Sequence, residues 1–319
     1  MKFFITLLFL SAATLYAQDF VRSIDTSSPF QISSCADKRS KTISTFDKTS
    51  PNNSCPSYSL GKILYGTKDD FKFHTTGGHP TKKWGNRNLT SITYKDYVVA
   101  FSNKNKLPLW VMSNHEGRIK SNIDESPKTG RGASKFVCDP KLPASLNTNQ
   151  GDFDNFKDSR MYARGHLYPN ALSKNCNGRT ATFVTTNIAP QVQSGFNSGP
   201  WSTLEDCIRD RVLEEKTKLS IVTGVIYPKR GKSCGFGEKY KDTLKSGLVV
   251  PCQFYKIVLD RDSKRYEGFL FQNIEHEGSS KETIKRASTT ITNISSLSGL
   301  KFFPDIGPKY REKVGVCSR

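Results

Sequence analysis

Apolar residues recur with two different periods along the chain, and the change of period marks its elements. β-Branched and aromatic residues crowd positions 94–101 and 107–112, and both runs predict strands. A further strand is predicted over 180–190, closed by Pro190, and three more over 219–227, 252–259 and 267–273. After Pro200 the period becomes helical: Trp201, Leu204, Ile208 and Val212 recur three to four apart. Pro200 suits a first helical turn and Ser198 offers a cap. That helix sets Glu205 and Arg209 four residues apart on the face of Trp201. A second helix is predicted over about 280–295.

Elsewhere the pattern loosens. Residues 18 to about 60 are rich in Ser, Thr, Asp, Lys and Pro and predict loops and short strands. Residues 113–135 are polar and basic, with a turn at Gly130-Arg131-Gly132. No linker divides the chain cleanly, so the expectation is one α+β body. Its expected parts are a leader at 1–17, an N-terminal elaboration at 18–120 and a catalytic domain at 121–319. The leader reads Met1-Lys2-Phe3-Phe4-Ile5-Thr6-Leu7-Leu8-Phe9-Leu10 and ends in small residues before Ala17, the pattern of a secretory signal peptide. After it no apolar run approaches the ~20 residues of a membrane span, so no membrane partner is expected.

Composition adds an electrostatic clue. The 319 residues carry 48 Lys+Arg against 29 Asp+Glu, a formal charge of +19. Such a surplus favours a polyanionic partner: nucleic acid, an anionic membrane or a glycosaminoglycan such as heparin. With 20 Phe, 12 Tyr and 3 Trp the chain has the aromatics to build a core. The eight cysteines are Cys35, Cys55, Cys138, Cys176, Cys207, Cys234, Cys252 and Cys317. They are even in number, widely spaced and free of CxxC pairs, which predicts disulfides and not a zinc site; their pairing stays open. Cys207 lies about 200° round the helix from Glu205, away from the Glu205/Arg209 face. Asn52, Asn88 and Asn293 head glycosylation sequons.

The chemistry concentrates between residues 160 and 210. Tyr162-Ala163-Arg164-Gly165-His166 sets a guanidinium fork, a residue that lets backbones approach, and an imidazole side by side. Downstream stand Thr186-Asn187-Ile188-Ala189-Pro190-Gln191, Asn197 four residues before Trp201, then Leu204-Glu205 and Arg209. This ordered set resembles the DNA/RNA non-specific endonucleases of the ββα-metal (His-Me finger) superfamily. The Tyr-Ala-Arg-Gly-His form is most similar to secreted arthropod-type nucleases. The commonest family motif has Asp where this chain has Ala163.

The resemblance implies a ββα-metal core on a central antiparallel sheet flanked by helices and stapled by disulfides. It implies that His166 is the general base and Asn197 the one direct protein ligand of Mg²⁺, with Mn²⁺ or Ca²⁺ as substitutes. Glu205 would hold metal-bound water, Arg209 would bind phosphate, and Asn187 would position His166 or the substrate. Arg164 would contact phosphate or brace the hairpin. For an additional phosphate-binding group upstream, Arg131 is the first choice and Lys135 the alternative. The implied function is a secreted, sugar-non-specific endonuclease acting on DNA and RNA, including double-stranded RNA, and leaving 5′ phosphates. The competing reading is an inactive basic protein that binds nucleic acid or heparin on the same fold.

Overall fold

Antiparallel pairing builds almost everything. The computed structural model describes residues 63, 65–82, 88–117, 136–148, 152–153, 161–173, 178, 181–214, 217–229, 231–306, 311–312 and 315–317. The leader, residues 18–60, Asn52, Cys35, Cys55, Cys176, Arg131 and Lys135 lie outside them. The described residues fall within one compact unit spanning 33–319.

A short helix, α1 (Lys68–His74), opens the described chain on a capping box between Thr67 and Asp70. Strands β1 (Thr81–Lys82), β2 (Leu89–Thr93), β3 (Val98–Ser102) and β4 (Leu107–Glu116) follow. A two-stranded ribbon comes next, β5 (Tyr162–His166) and β6 (Ile188–Val192), then helix α2 (Ser202–Glu214). Strands β7 (Lys218–Ile226), β8 (Gln253–Asp260) and β9 (Arg265–Gln272) complete the sheet centre. The chain closes with α3 (Ser280–Ala287), β10 (Ser288–Thr289), α4 (Ile291–Ser298), β11 (Leu300–Lys301) and β12 (Arg311–Glu312).

The main sheet has the order β10-β9-β8-β7-β4-β3-β2, with β12 alongside β9. Its strands β2–β4 come from before residue 120, and β4 pairs directly with β7, so the sheet runs across the expected domain boundary. Strands β7 and β8 are buried along nearly their whole length, which explains why they read as continuous apolar runs. One face presents Ile221, Val225, Phe254 and Val258 to Trp201 and Leu204 of the ββα unit. The other presents Trp110 and Tyr255, met by His79 at 6.1 Å and Phe302 at 5.5 Å between ring centroids.

Several local expectations are corrected. The strand over 94–101 is the end of a hairpin: Tyr94–Tyr97 turn the chain and only Val98 onward is strand. The strand over 180–190 is displaced, with 3₁₀ turns at Thr185–Asn187 and β6 after them, and Pro190 sits inside the strand. Pro is tolerated there because a two-stranded ribbon leaves one backbone edge unpaired. Ser198 does not cap the helix; its hydroxyl donates to Gln193 O (2.8 Å), and the chain breaks at Gly199 before α2 begins. The helix over 280–295 is two helices separated by β10, whose Ser288 and Thr289 pair with β9.

Two disulfides are described. Cys207–Cys317 ties α2 to the C-terminal segment across 110 residues, and Cys234–Cys252 closes an 18-residue separation. Cys138 is disulfide-bonded as well. Cross-linking so long a loop restricts the unfolded chain strongly. Replacing Cys207 and Cys317 together by Ser is therefore expected to cost about 2–5 kcal/mol in urea denaturation. An unchanged unfolding midpoint would show that the cross-link adds nothing to the hold of β12 and the sheet on this segment.

Candidate active site

The ribbon and α2 form a ββα unit, and the implied residues sit at its turning points. His166 ends β5 opposite Ile188, and Arg164 lies opposite Pro190. Between them Gly165 permits the ribbon its close approach: a Cβ there would lie 2.6 Å from Cβ of Gln191. The imidazole of His166 is held edge-on by Phe183 at 5.1 Å and tilted against Phe136 at 5.5 Å. The Arg164 guanidinium lies 4.8 Å over the same Phe136 ring. The Nε2 atom of His166 is buried without a hydrogen-bond partner. Burial pushes the imidazole down to about 4 from its ordinary 6.5. A neutral, unpartnered ring nitrogen is what proton abstraction requires.

The connection from β6 to α2, Gln193–Trp201, is irregular and carries Asn197. Gly195 takes φ +67° there, and a Cβ on it would meet Glu275 Cγ at 2.6 Å. The Asn197 amide donates through Nδ2 to Gln193 Oε1 (3.1 Å), which commits its nitrogen and leaves the carbonyl Oδ1 for another partner.

Glu205 and Arg209 part company. The spacing set them on one helix face, but Arg209 pairs with Asp206 (2.7 Å) and Asp210 (3.7 Å), on the solvent side. Glu205 turns inward to Lys256, whose Nζ lies 3.6 Å from Oε1. Lys256 is 1% exposed, lies 4.5 Å over the Trp201 ring and donates to Thr223 Oγ1 (2.9 Å). Burial raises the Glu205 carboxyl and the Lys256 ammonium opposes the rise, the balance leaving it at about 7. Lys256 is the residue that sequence reading overlooked. Its signal was a single cation in the apolar run of β8, which nothing but a buried anion explains.

Asn187 is fully buried, and its amide is committed to backbone. Oδ1 accepts from Tyr168 N (2.8 Å), while Nδ2 donates to Tyr168 O (2.9 Å) and Thr182 O (3.0 Å). It is a positioning residue that ties the loop after His166 to the approach of β6. A second brace stands behind it. Buried Asp139 accepts hydroxyls from Tyr65 (2.7 Å), Tyr94 and Thr186 (3.0 Å). Rings Tyr65, Tyr94, Tyr97, Tyr168 and His115 stack in succession, and Tyr168 stands two residues past His166.

These residues fit a hard divalent cation. Oδ1 of Asn197 and the carboxylate of Glu205 are oxygen donors, and Glu205 Oε1 is buried without a hydrogen-bond partner. Among the described residues no three His, Cys, Asp or Glu converge.

Comparison with known proteins agrees with this geometry. The model of the DNA/RNA non-specific endonuclease family matches residues 78–308. The chain belongs to that family. Within it, the chain is 26% identical over 219 residues to Nuclease C1 of Cunninghamella echinulata var. echinulata, covering 66% of this chain and 81% of that protein. It is 25% identical over 236 residues to the mitochondrial Endonuclease G of Caenorhabditis elegans, covering 71% and 72%. The EndoG chain of a solved EndoG/EndoGI complex shares the fold, with TM-score 0.61 and 22% identity over 77% of this chain and 97% of that one. The protein is thus a DNA/RNA non-specific endonuclease of α+β, ββα-metal architecture.

Two predictions follow from the buried charges. Between pH 6.5 and 4 the unfolded chain protonates His166 and the folded one does not, so this group lowers stability as pH falls, by up to about 3 kcal/mol. Glu205 acts oppositely, because its folded carboxyl keeps a proton that the unfolded one loses from 4.5 up to about 7. His166→Asn should therefore be more stable relative to wild type at pH 4.5 than at pH 7; equal differences in urea midpoint would contradict a neutral buried imidazole. Lys256→Met should raise the Glu205 carboxyl further and shift the acid limb of kcat/KM to higher pH. It should also lower stability by about 3–5 kcal/mol. An unmoved acid limb would show that Lys256 does not act on Glu205.

Proposed function

We propose that this endonuclease is secreted, depends on Mg²⁺, and hydrolyses DNA and RNA, duplex RNA included, to 5′-phosphate ends. The observation that carries the reading is His166, held neutral at the end of β5 on the ribbon whose continuation carries Asn197 and Glu205. Phosphodiester hydrolysis needs an activated water, relief of charge at phosphorus, and an accommodated leaving oxygen. Neutral His166 accepts a proton on its unprotonated ring nitrogen from the attacking water. The water oxygen bonds to phosphorus as the bond to the 3′ oxygen breaks; that oxygen takes a proton from solvent water, and His166 afterwards returns its own proton to solvent. Bound through Asn197 Oδ1, with water held by Glu205, Mg²⁺ would stabilise negative charge growing on the phosphate. Lys256 favours the ionised form of the Glu205 carboxyl and orients it. Arg164 and Arg209 supply cations to phosphate oxygens, and Arg131 or Lys135 extends that contact upstream.

Phosphate-directed binding reads no base edges, which suits action on both sugars with little sequence preference. The 17-residue leader supports secretion: its one cation is Lys2, whereas mitochondrial presequences are Arg-rich. Disulfides fit an oxidising compartment. Exposed Asn88 and Asn293 are accessible glycosylation sites.

The test incubates plasmid DNA, single-stranded RNA and double-stranded RNA with protein recovered from culture medium. Degradation with Mg²⁺ should stop with EDTA and fall about 10²- to 10⁴-fold in His166→Ala. Asn197→Ala should need far more Mg²⁺. Metal-independent cutting would sink the mechanism, and protein retained inside the cell would sink secretion. Retarded but intact nucleic acid would favour the binding protein.

A further inference from the structure

Strands β7 and β8 are adjacent and antiparallel, and two residues suffice to join such a pair. Here the chain leaves β7 after Ile226 and returns at Gln253. Excursions of this length in a compact domain are commonly functional. This one is built and braced. Cys234–Cys252 clamps its base, and Thr243 bridges to Val249. Val250 N donates to Asp242 O (2.8 Å) and Leu244 N to Leu248 O (2.9 Å). It leans on the catalytic ribbon, where Lys241 N donates to Tyr162 Oη (2.9 Å), four residues before His166.

The arm concentrates positive charge. Residues 227–252 hold Lys229, Arg230, Lys232, Lys239, Lys241 and Lys245 against Glu238 and Asp242, and of these Lys239 is paired with Glu275 outside the arm (2.9 Å). Asp242 is half-buried and accepts from Cys234 N (2.8 Å). Lys229 and Lys232 are exposed. They rim an open groove of about 330 Å³ whose lining includes Tyr227, Phe236 and Leu297. Phe236 is half-exposed and meets Tyr240 edge-on at 6.4 Å. Like charges gathered on a rigid loop repel one another, and a polyanion relieves that repulsion. Aromatic rings beside lysines form the surface on which unpaired bases stack while phosphates are neutralised.

We propose that the 227–252 arm is an accessory binding surface for single-stranded polynucleotide. Lys229 and Lys232 take phosphates, and Phe236 takes a base. The surface holds strand that lies beyond the phosphate being cut, and the proposal rests on the endonuclease reading. It makes affinity depend on substrate length without touching the reacting atoms.

The test uses full-length His166→Ala protein and a fluorescein-labelled 15-nucleotide single strand, with a duplex of equal length alongside. Lys229→Gln/Lys232→Gln should weaken single-strand binding and flatten the slope of log affinity against log salt by about 1.4. Phe236→Ala should weaken it about fivefold or more, with Phe236→Tyr restoring it and the duplex unaffected. With His166 intact, the double variant should hydrolyse a 4-nitrophenyl phosphodiester of thymidine at the wild-type rate, while KM for long single strands rises. Unchanged affinity and salt slope would overturn the proposal, as would equal losses on duplex and single strand for Phe236→Ala. Failure of the wild type to cut the small ester would count against the proposed reaction alone, because anisotropy judges the arm separately.

Discussion

The packing of Phe196 and Trp201 against Phe254 and Phe271 seats the catalytic unit on the sheet. Their rings approach at 5.6–6.0 Å, and the two on the unit are fully buried. A two-stranded ribbon with one helix has too little apolar area to hold a geometry by itself. Each large ring withdrawn from water contributes about 1.5–3 kcal/mol, and edge-to-face contact adds direction to that attraction. Phe196 and Trp201 bracket Asn197 in the chain, so the packing also determines where the candidate ligand stands.

The same cluster makes room for charge where charge is costly. Lys256 rises from the sheet beneath Trp201 and meets Glu205 arriving from the helix. An isolated carboxylate in that position would take up a proton, and an isolated ammonium would lose one. Paired, each favours the charged form of the other. His166 solves the opposite problem, since burial keeps its ring neutral and ready to accept a proton. Rigid supports surround both: the Asn187 amide, the Asp139 hydroxyl cluster and the stacked tyrosines leave the His166 loop little freedom. Rigidity of this kind lowers the reorganisation that catalysis would otherwise require.

Positive charge is layered around this centre. Arg164 lies over Phe136 beside the base, and Arg209 stays on the solvent side of α2 among acidic neighbours. The 227–252 arm carries a separate set, anchored to the ribbon through Tyr162.

Much of the fold was legible because its signals are local. Doubly buried strands appear as apolar runs at 219–227 and 252–259, and the stripe Trp201, Leu204, Ile208, Val212 marks one face of α2. His166, Asn197 and Glu205 were legible because their spacing along one ββα unit is itself the motif. Local signals failed where a partner strand decided the outcome, as at Ser288–Thr289, which pair with β9 and split a helical pattern in two. By itself, then, the sequence determined the element types, the motif and the excess of positive charge. Tertiary structure alone decided that Glu205 meets Lys256 and not Arg209, that Asn187 faces backbone, and which cysteines pair. Those outcomes depend on which distant groups burial brings together, and no spacing along the chain records that.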